Sequence, residues 1–105
     1  MSATVTVIGN LGSDPVERMT QSGTKVVDFS IAVNNGKDKE ATWYRISVFG
    51  KQGENCMTYL KKGAKVAVFG ELRTNEKDGK IYLNVSAYRV DFLTKAHEDD
   101  GDYPF

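Results

Sequence analysis

The stretch KVVDFSIAVN, residues 25–34, alternates without a break. Val27, Phe29, Ile31 and Val33 fall on one parity, and Asp28, Ser30 and Asn34 on the other. A period of two belongs to a strand, because a helix scatters such a set around its axis. TWYRISVFG (42–50) alternates in the same way. TVTVIGNL (4–11) is rich in β-branched residues and ends at Gly12. KVAVFGELRT (65–74) and IYLNVSAYRVDFL (81–93) flank NEKDGK, a polar hairpin loop containing Asp-Gly. Five strands result. In the last of them Ile81, Leu83 and Val85 are out of phase with Val90 and Phe92, which predicts a bulge between Ala87 and Arg89.

One helix interrupts the strands. In KQGENCMTYLKKG, Cys56, Met57 and Leu60 fall at helical spacing and Gly63 ends the run. Lys61 and Lys62 are expected in its last turn, where the helix dipole favours cations. GSDP, QSG and NNGKDKE read as turns between the other elements. Three strands, a helix and two more strands fit a five-stranded Greek-key barrel of the OB-fold type, with the helix plugging one end. The length, 105 residues, suits one such domain.

Composition narrows the class of protein. No apolar run approaches the roughly 20 residues of a membrane span. The opening MSATVTVIGN lacks the basic start and long apolar stretch of a secretory signal. Cys56 is the single cysteine, so an intrachain disulfide is excluded. These features favour a cytoplasmic protein without a membrane partner. The formal net charge of zero hides an asymmetry: Glu98, Asp99, Asp100 and Asp102 are concentrated at the end. Residues 1–97 carry 14 basic and 10 acidic side chains, a balance of +4. A mildly basic body points to a polyanionic partner.

WYRISVFGK (43–51) is the segment that suggests chemistry. Tyr44, Ile46 and Val48 share one face of this strand and read as core; Trp43, Arg45, Ser47 and Phe49 share the other. Two large aromatic rings with an arginine between them are poor surface for a monomer. They make a good platform for unpaired nucleotides, whose flat bases stack on Trp43 and Phe49 while Arg45 and Lys51 meet phosphates. The same alternation also suits Trp43 and Phe49 packing beneath a loop or in a subunit contact. Further basic residues at Lys37, Lys39, Lys62, Arg73, Lys77 and Lys80 are spread where a nucleic-acid strand can run, although each taken alone reads more simply as a solvated surface charge.

The remaining motifs do not assemble a catalytic or metal site. His97 is the only histidine and lies among the terminal acids, so with one cysteine no zinc set is expected. IGNLGSD has two glycines but lacks the Gly-Lys-Ser/Thr ending of a phosphate loop. Asp28, Glu54, Glu71 and Asp91 read as surface or local hydrogen-bonding groups, and Cys56 as packing on the apolar side of the helix. No enzyme activity and no cofactor are expected.

The sequence resembles the bacterial single-stranded DNA-binding proteins. VTVIGNLGSDPVERMTQSGTKVVDFSIAVN is similar to the family's opening, WYRISVFGKQGENCMTYLKKGAKVAVFGELRT to its centre, and DDGDYPF to its acidic tip. The resemblance implies an OB-fold domain over 1–95, assembly as a homotetramer, and no catalysis. It places Trp43 and Phe49 on positions that stack on bases, and Arg45, Lys51 and Lys62 on positions suited to the DNA backbone. It also implies that residues 96–105 form a tail that recruits replication, recombination and repair proteins. Asp99, Asp100 and Asp102 would meet basic residues of the partner, and Tyr103, Pro104 and Phe105 would supply the apolar contact.

Three features depart from that family. The hairpin carries Lys77 where an aromatic is common, the loop at 35–41 has no aromatic, and almost no linker separates Leu93 from Asp99. Fewer stacking contacts and more reliance on charge, including Arg73 and Lys77, are expected. Six extended residues reach about 20 Å at most, so the tip is expected to stay near its own barrel and compete with DNA for the basic face. Two other readings fit the pattern: an OB-fold adaptor of the replication or primosome machinery, and a module for single-stranded RNA.

Overall fold

The structure, a computed structural model, describes residues 2–37 and 39–93. Its elements in chain order are β1 (Thr4–Leu11), β2 (Val16–Met19), β3 (Lys25–Val33), β4 (Thr42–Phe49), α1 (Gly50–Tyr59), β5 (Lys65–Lys77) and β6 (Lys80–Phe92). Five of the strands close a ring. β1 pairs with β5, β5 with β6, β6 with β4, β4 with β3, and β3 returns to β1 through Asn10↔Ala32 and Leu11↔Ile31. All these pairings are antiparallel except β4 with β6. This is the OB-type Greek-key barrel expected from the strand order, and closure leaves the ring without a free edge.

The sixth strand is a correction to the sequence reading. GSDP and QSG do turn the chain, but VERM between them pairs with β3 from Val16↔Asp28 to Met19↔Lys25. The turn back is closed by Thr20 N–H to Thr24 C=O at 2.9 Å and Gly23 N–H to Thr20 C=O at 3.0 Å. All four residues of β2 are exposed. With neither face buried, no hydrophobic alternation marks the strand in the sequence.

The hairpin loop is also shorter than predicted. β5 and β6 run on to Lys77 and Lys80, leaving Asp78 and Gly79 alone in the turn. Both have positive φ, 54° and 77°. A two-residue turn with both central residues in that region matches the twist of the flanking strands. The polar residues 75–77 therefore pair as strand beyond the barrel, where no core demands apolar side chains. The predicted bulge lies where the phase changed. Phe69 pairs with Arg89 and Gly70 with Ala87, so Tyr88 is the extra residue. Beyond it, the Arg89 guanidinium lies over the Phe69 ring at 5.0 Å.

The core is built from alternate residues of the ring strands, largely valine and isoleucine, among them Val7, Ile31, Ile46, Val66, Val68 and Val85. Each such side chain contributes about 1.5–3 kcal/mol when fully buried. Helix α1 closes one end with Cys56, and Leu60 follows at its C-cap. Two expectations about the helix change. It ends at Tyr59, so Lys61 and Lys62 lie beyond its last turn, and Met57 is exposed. Gln52 ties the helix to the barrel, its Oε1 accepting a hydrogen bond from the Val90 amide.

Candidate nucleic-acid interface

β4 presents the face that the sequence singled out. Ile46 and Val48 are buried and Tyr44 packs against the core. On the opposite side Trp43 is 53 % exposed and Phe49 47 % exposed, with Arg45 exposed between them. The rings are therefore not sealed beneath a loop. Six residues of strand separate them by about 20 Å.

Neighbouring strands widen the platform. The register sets Ser30 of β3, Arg45 of β4, Asn84 of β6 and Arg73 of β5 in one row across the barrel. One step along, Asp28 lies opposite Ser47. At the near end of the strand the indole of Trp43 lies over Gly12, whose amide donates to the Ser30 carbonyl at 3.0 Å. A methyl group at position 12 would stand 2.7 Å from Trp43 Cη2 and nearer still to Cζ3. The loop after β1 thus seats the ring from below.

The basic residues divide by their partners. Arg45, Lys51 and Lys62 make no ion pair among the described residues. Lys51 is the second residue of helix α1, which follows Phe49 directly. Lys62 is anchored through its backbone amide to Asp14 Oδ1 at 2.8 Å, which ties it to the loop beside Gly12. Trp43, Arg45 and Phe49 share one strand face, while Lys51 lies in the first turn of the helix and Lys62 in the connection after it. Arg73 shares the transverse row but is held by Glu71 Oε1 at 2.9 Å. Lys77 stands at the tip of the β5–β6 hairpin, four residues beyond Arg73. Lys37, Lys39 and Lys80 are exposed. The acidic tip, Asp99, Asp100, Asp102, Tyr103, Pro104 and Phe105, lies outside the described residues.

Arg18, Ser30, Asn84 and Gly12 belong to this face and were not singled out by sequence. Arg18 lies in the strand hidden by its lack of alternation. It ion-pairs with Asp28, and that hydrogen bond and charge hold its guanidinium pKa above the ordinary value. Asp28 was read as a local hydrogen-bonding group, and it is one. Cys56 is fully buried, and loss of solvation raises its thiol pKa to about 11. No group of three or more metal-ligating side chains occurs among the described residues. None of the helices among them is long and apolar enough to cross a membrane.

Comparisons with known proteins agree with this geometry. The fold resembles the crystal structure of a mitochondrial single-stranded DNA binding protein from S. cerevisiae, with a TM-score of 0.78 over 90 % of this chain and 97 % of that one, at 23 % identity. Single-stranded DNA-binding protein 1 of Chlorobaculum tepidum is 42 % identical over 70 % of this chain, which spans half the length of that relative. Single-stranded DNA-binding protein 1 of Staphylococcus aureus is 38 % identical over 90 % of the chain, matched across 67 % of its own length. Residues 2–94 match the single-strand binding protein family as a whole. A closed barrel with two exposed rings flanking a cation, and a family match across that barrel, lead to one conclusion: the chain belongs to the single-strand binding protein family.

Proposed function

We propose that this protein coats single-stranded DNA without strong sequence preference and protects it during replication, recombination and repair. One observation carries the reading: Trp43 and Phe49 are both exposed on one strand face, with an arginine free of ion pairs among the described residues between them. Bases stack on the rings at about 1–3 kcal/mol each. Every base offers a π-face, so stacking discriminates little among them. Arg45, Lys51 and Lys62 neutralise phosphates, with Arg73 and Lys77 extending the track along the hairpin. The work is binding, with no reaction catalysed and no cofactor required.

In this reading residues 1–95 form the DNA-binding unit and residues 96–105 a tail that docks on replication and repair proteins. Four copies assemble, and the protein acts in the cytoplasm at the nucleoid. Trp43 is the sole tryptophan, so its fluorescence reports the contact directly. Titration with oligo-dT is expected to quench the emission, and a duplex of equal length to leave it unchanged. Unchanged emission with both would overturn the stacking mechanism.

A further inference from the structure

Past the barrel, the outer face of the β5–β6 hairpin carries one aromatic ring among amide and cationic side chains. The register pairs Arg73 with Asn84, Asn75 with Tyr82 and Lys77 with Lys80. Cross-strand partners share a face, and so do alternate residues along a strand. These six side chains therefore form one surface. The Asn84 amide donates to Asn75 Oδ1 at 2.6 Å, which locks two of them together. The surface continues the nucleic-acid face, because Asn84 is also the partner of Arg45 on β4.

Tyr82 stands where the hairpin leaves the barrel. β4 and β6 are parallel, and their ladder begins at Arg45↔Asn84. Two residues back along β4 is Trp43, and two back along β6 is Tyr82. The strands fork there, and each prong carries a ring on the same side. Tyr82 is partly buried but does not pack against the core. Among the described residues its hydroxyl makes no hydrogen bond and its ring meets no other ring. Nothing in the fold of the chain itself uses this aromatic group.

Lys77 and Lys80 lie one step further out, about 7 Å from the level of Tyr82. They face each other directly across the hairpin. Neither makes an ion pair among the described residues. Like charges so placed repel, and an anion held between them relieves the repulsion. A flat ring beside two uncompensated cations matches the two halves of a nucleotide, base and phosphate.

We propose that Tyr82, Lys77 and Lys80 form a nucleotide subsite on the hairpin, in which the ring stacks on a base and the two ammonium groups hold an adjoining phosphate. The inference rests on the reading of the β4 face as a single-stranded DNA surface, and it adds a third ring to that surface. A strand long enough to pass Trp43 reaches the subsite; a strand that covers only Trp43 to Phe49 does not.

The test titrates the full chain, Tyr82→Phe and Tyr82→Leu with a short and a long oligo-dT, following the Trp43 emission. Leucine keeps an apolar side chain and removes the π-face. Affinity for the long strand is expected to fall about tenfold in Tyr82→Leu, within the range of one lost stacking contact. Tyr82→Phe should bind both strands as the parent does, and the short strand should not distinguish the three proteins. No loss with the long strand would overturn the subsite. An equal loss with both strands would make the effect an indirect one, and would overturn it too. Replacing Lys77 and Lys80 together by alanine should flatten the salt dependence by about 0.7 for the long strand only, the share of one phosphate. An unchanged slope would overturn the phosphate contact.

Should Tyr82→Leu fail to fold, the unaltered protein is irradiated with a long strand carrying 5-iodouracil, which links covalently to a ring stacked on it, and the linked peptides are identified by mass spectrometry. A link to Tyr82 is expected, and a bound strand with no link to Tyr82 would overturn the subsite. Failure of the underlying reading is distinguishable, because the unaltered protein would then bind neither the short strand nor the long one.

Discussion

The six-membered ring of Trp43 rests on the backbone of Gly12, so close that a single added methyl would collide with it. The ring at the edge of β4 is therefore positioned by a loop some thirty residues earlier in the chain. Gly12 is held in turn by its amide bond to the Ser30 carbonyl, on the strand next to β4.

Replacing Gly12 with alanine should tilt the indole away from the barrel. The backbone at Gly12 does not have the positive φ that would strain alanine, so the effect is steric and local. A shifted tryptophan emission maximum and a severalfold loss of oligo-dT affinity are expected, with the thermal midpoint changed little. Emission and affinity equal to the parent would show that the seat is unimportant.

Trp43→Ala and Phe49→Ala should each weaken oligonucleotide binding by about 1–3 kcal/mol. Both rings are half-exposed, so most of the loss should appear in binding, and chemical denaturation should separate it from any change in stability. If stability collapses while affinity per folded molecule holds, the rings belong to packing.

Salt dependence should separate the arginines. For single strands, log affinity falls against log salt by about 0.7 per phosphate neutralised. Arg45, with no ion pair among the described residues, should contribute about that much, so Arg45→Ala flattens the slope by about 0.7. Arg73 must leave Glu71 to reach a phosphate, and Arg73→Ala should flatten it less. Equal effects would mean that the Glu71 contact does not compete.

Deleting residues 98–105 should tighten DNA binding, most visibly at low salt, where a tethered cluster of acids competes best for the cationic face. Titration of the shortened chain at two salt concentrations measures this. Identical affinities at low salt would rule out the competition.

The buried Cys56 thiol gives a pH signature. Burial raises its pKa to about 11, so the folded chain keeps this proton over a range in which the unfolded chain has lost it. Its contribution is full below the unfolded value of about 8.5. It is lost as pH rises from there through about 11. Denaturation midpoints should therefore fall over that window, and Cys56→Ala should fall less steeply. Parallel pH profiles would assign the loss to other groups.

Much of this molecule was legible because its barrel strands bury mainly one side, Val26 of β3 and Ala67 of β5 being buried on the other. In β3 and β4 the alternation of KVVDFSIAV and TWYRISVF is also the alternation of inside and outside. The phase slip at Tyr88 was readable for the same reason, since a bulge exchanges the two faces. β2 was not legible, because a strand exposed on both sides leaves no pattern. Residues 75–77 were read as loop because polarity and Asp-Gly look alike whether strands end or continue. At the candidate site, the residues on β4 itself were found. Its neighbours from other strands, Arg18, Ser30 and Asn84, come together only through pairing register, and no local signal carries that. Gly12 under Trp43 is a contact between a loop and a strand, invisible to periodicity.

β5 and β6 belong to two environments at once. Their halves around Val66, Val68, Val85 and Val90 line or pack against the core, while Arg73 to Ile81 have exposed side chains on both faces. Amide hydrogens along one continuous strand should thus exchange with solvent over a graded range of rates, slowest in the barrel and fastest towards Asp78. An arm with no side chain in the core is ordered by its backbone pairing alone, and that pairing is a continuation of the ladder the barrel halves set.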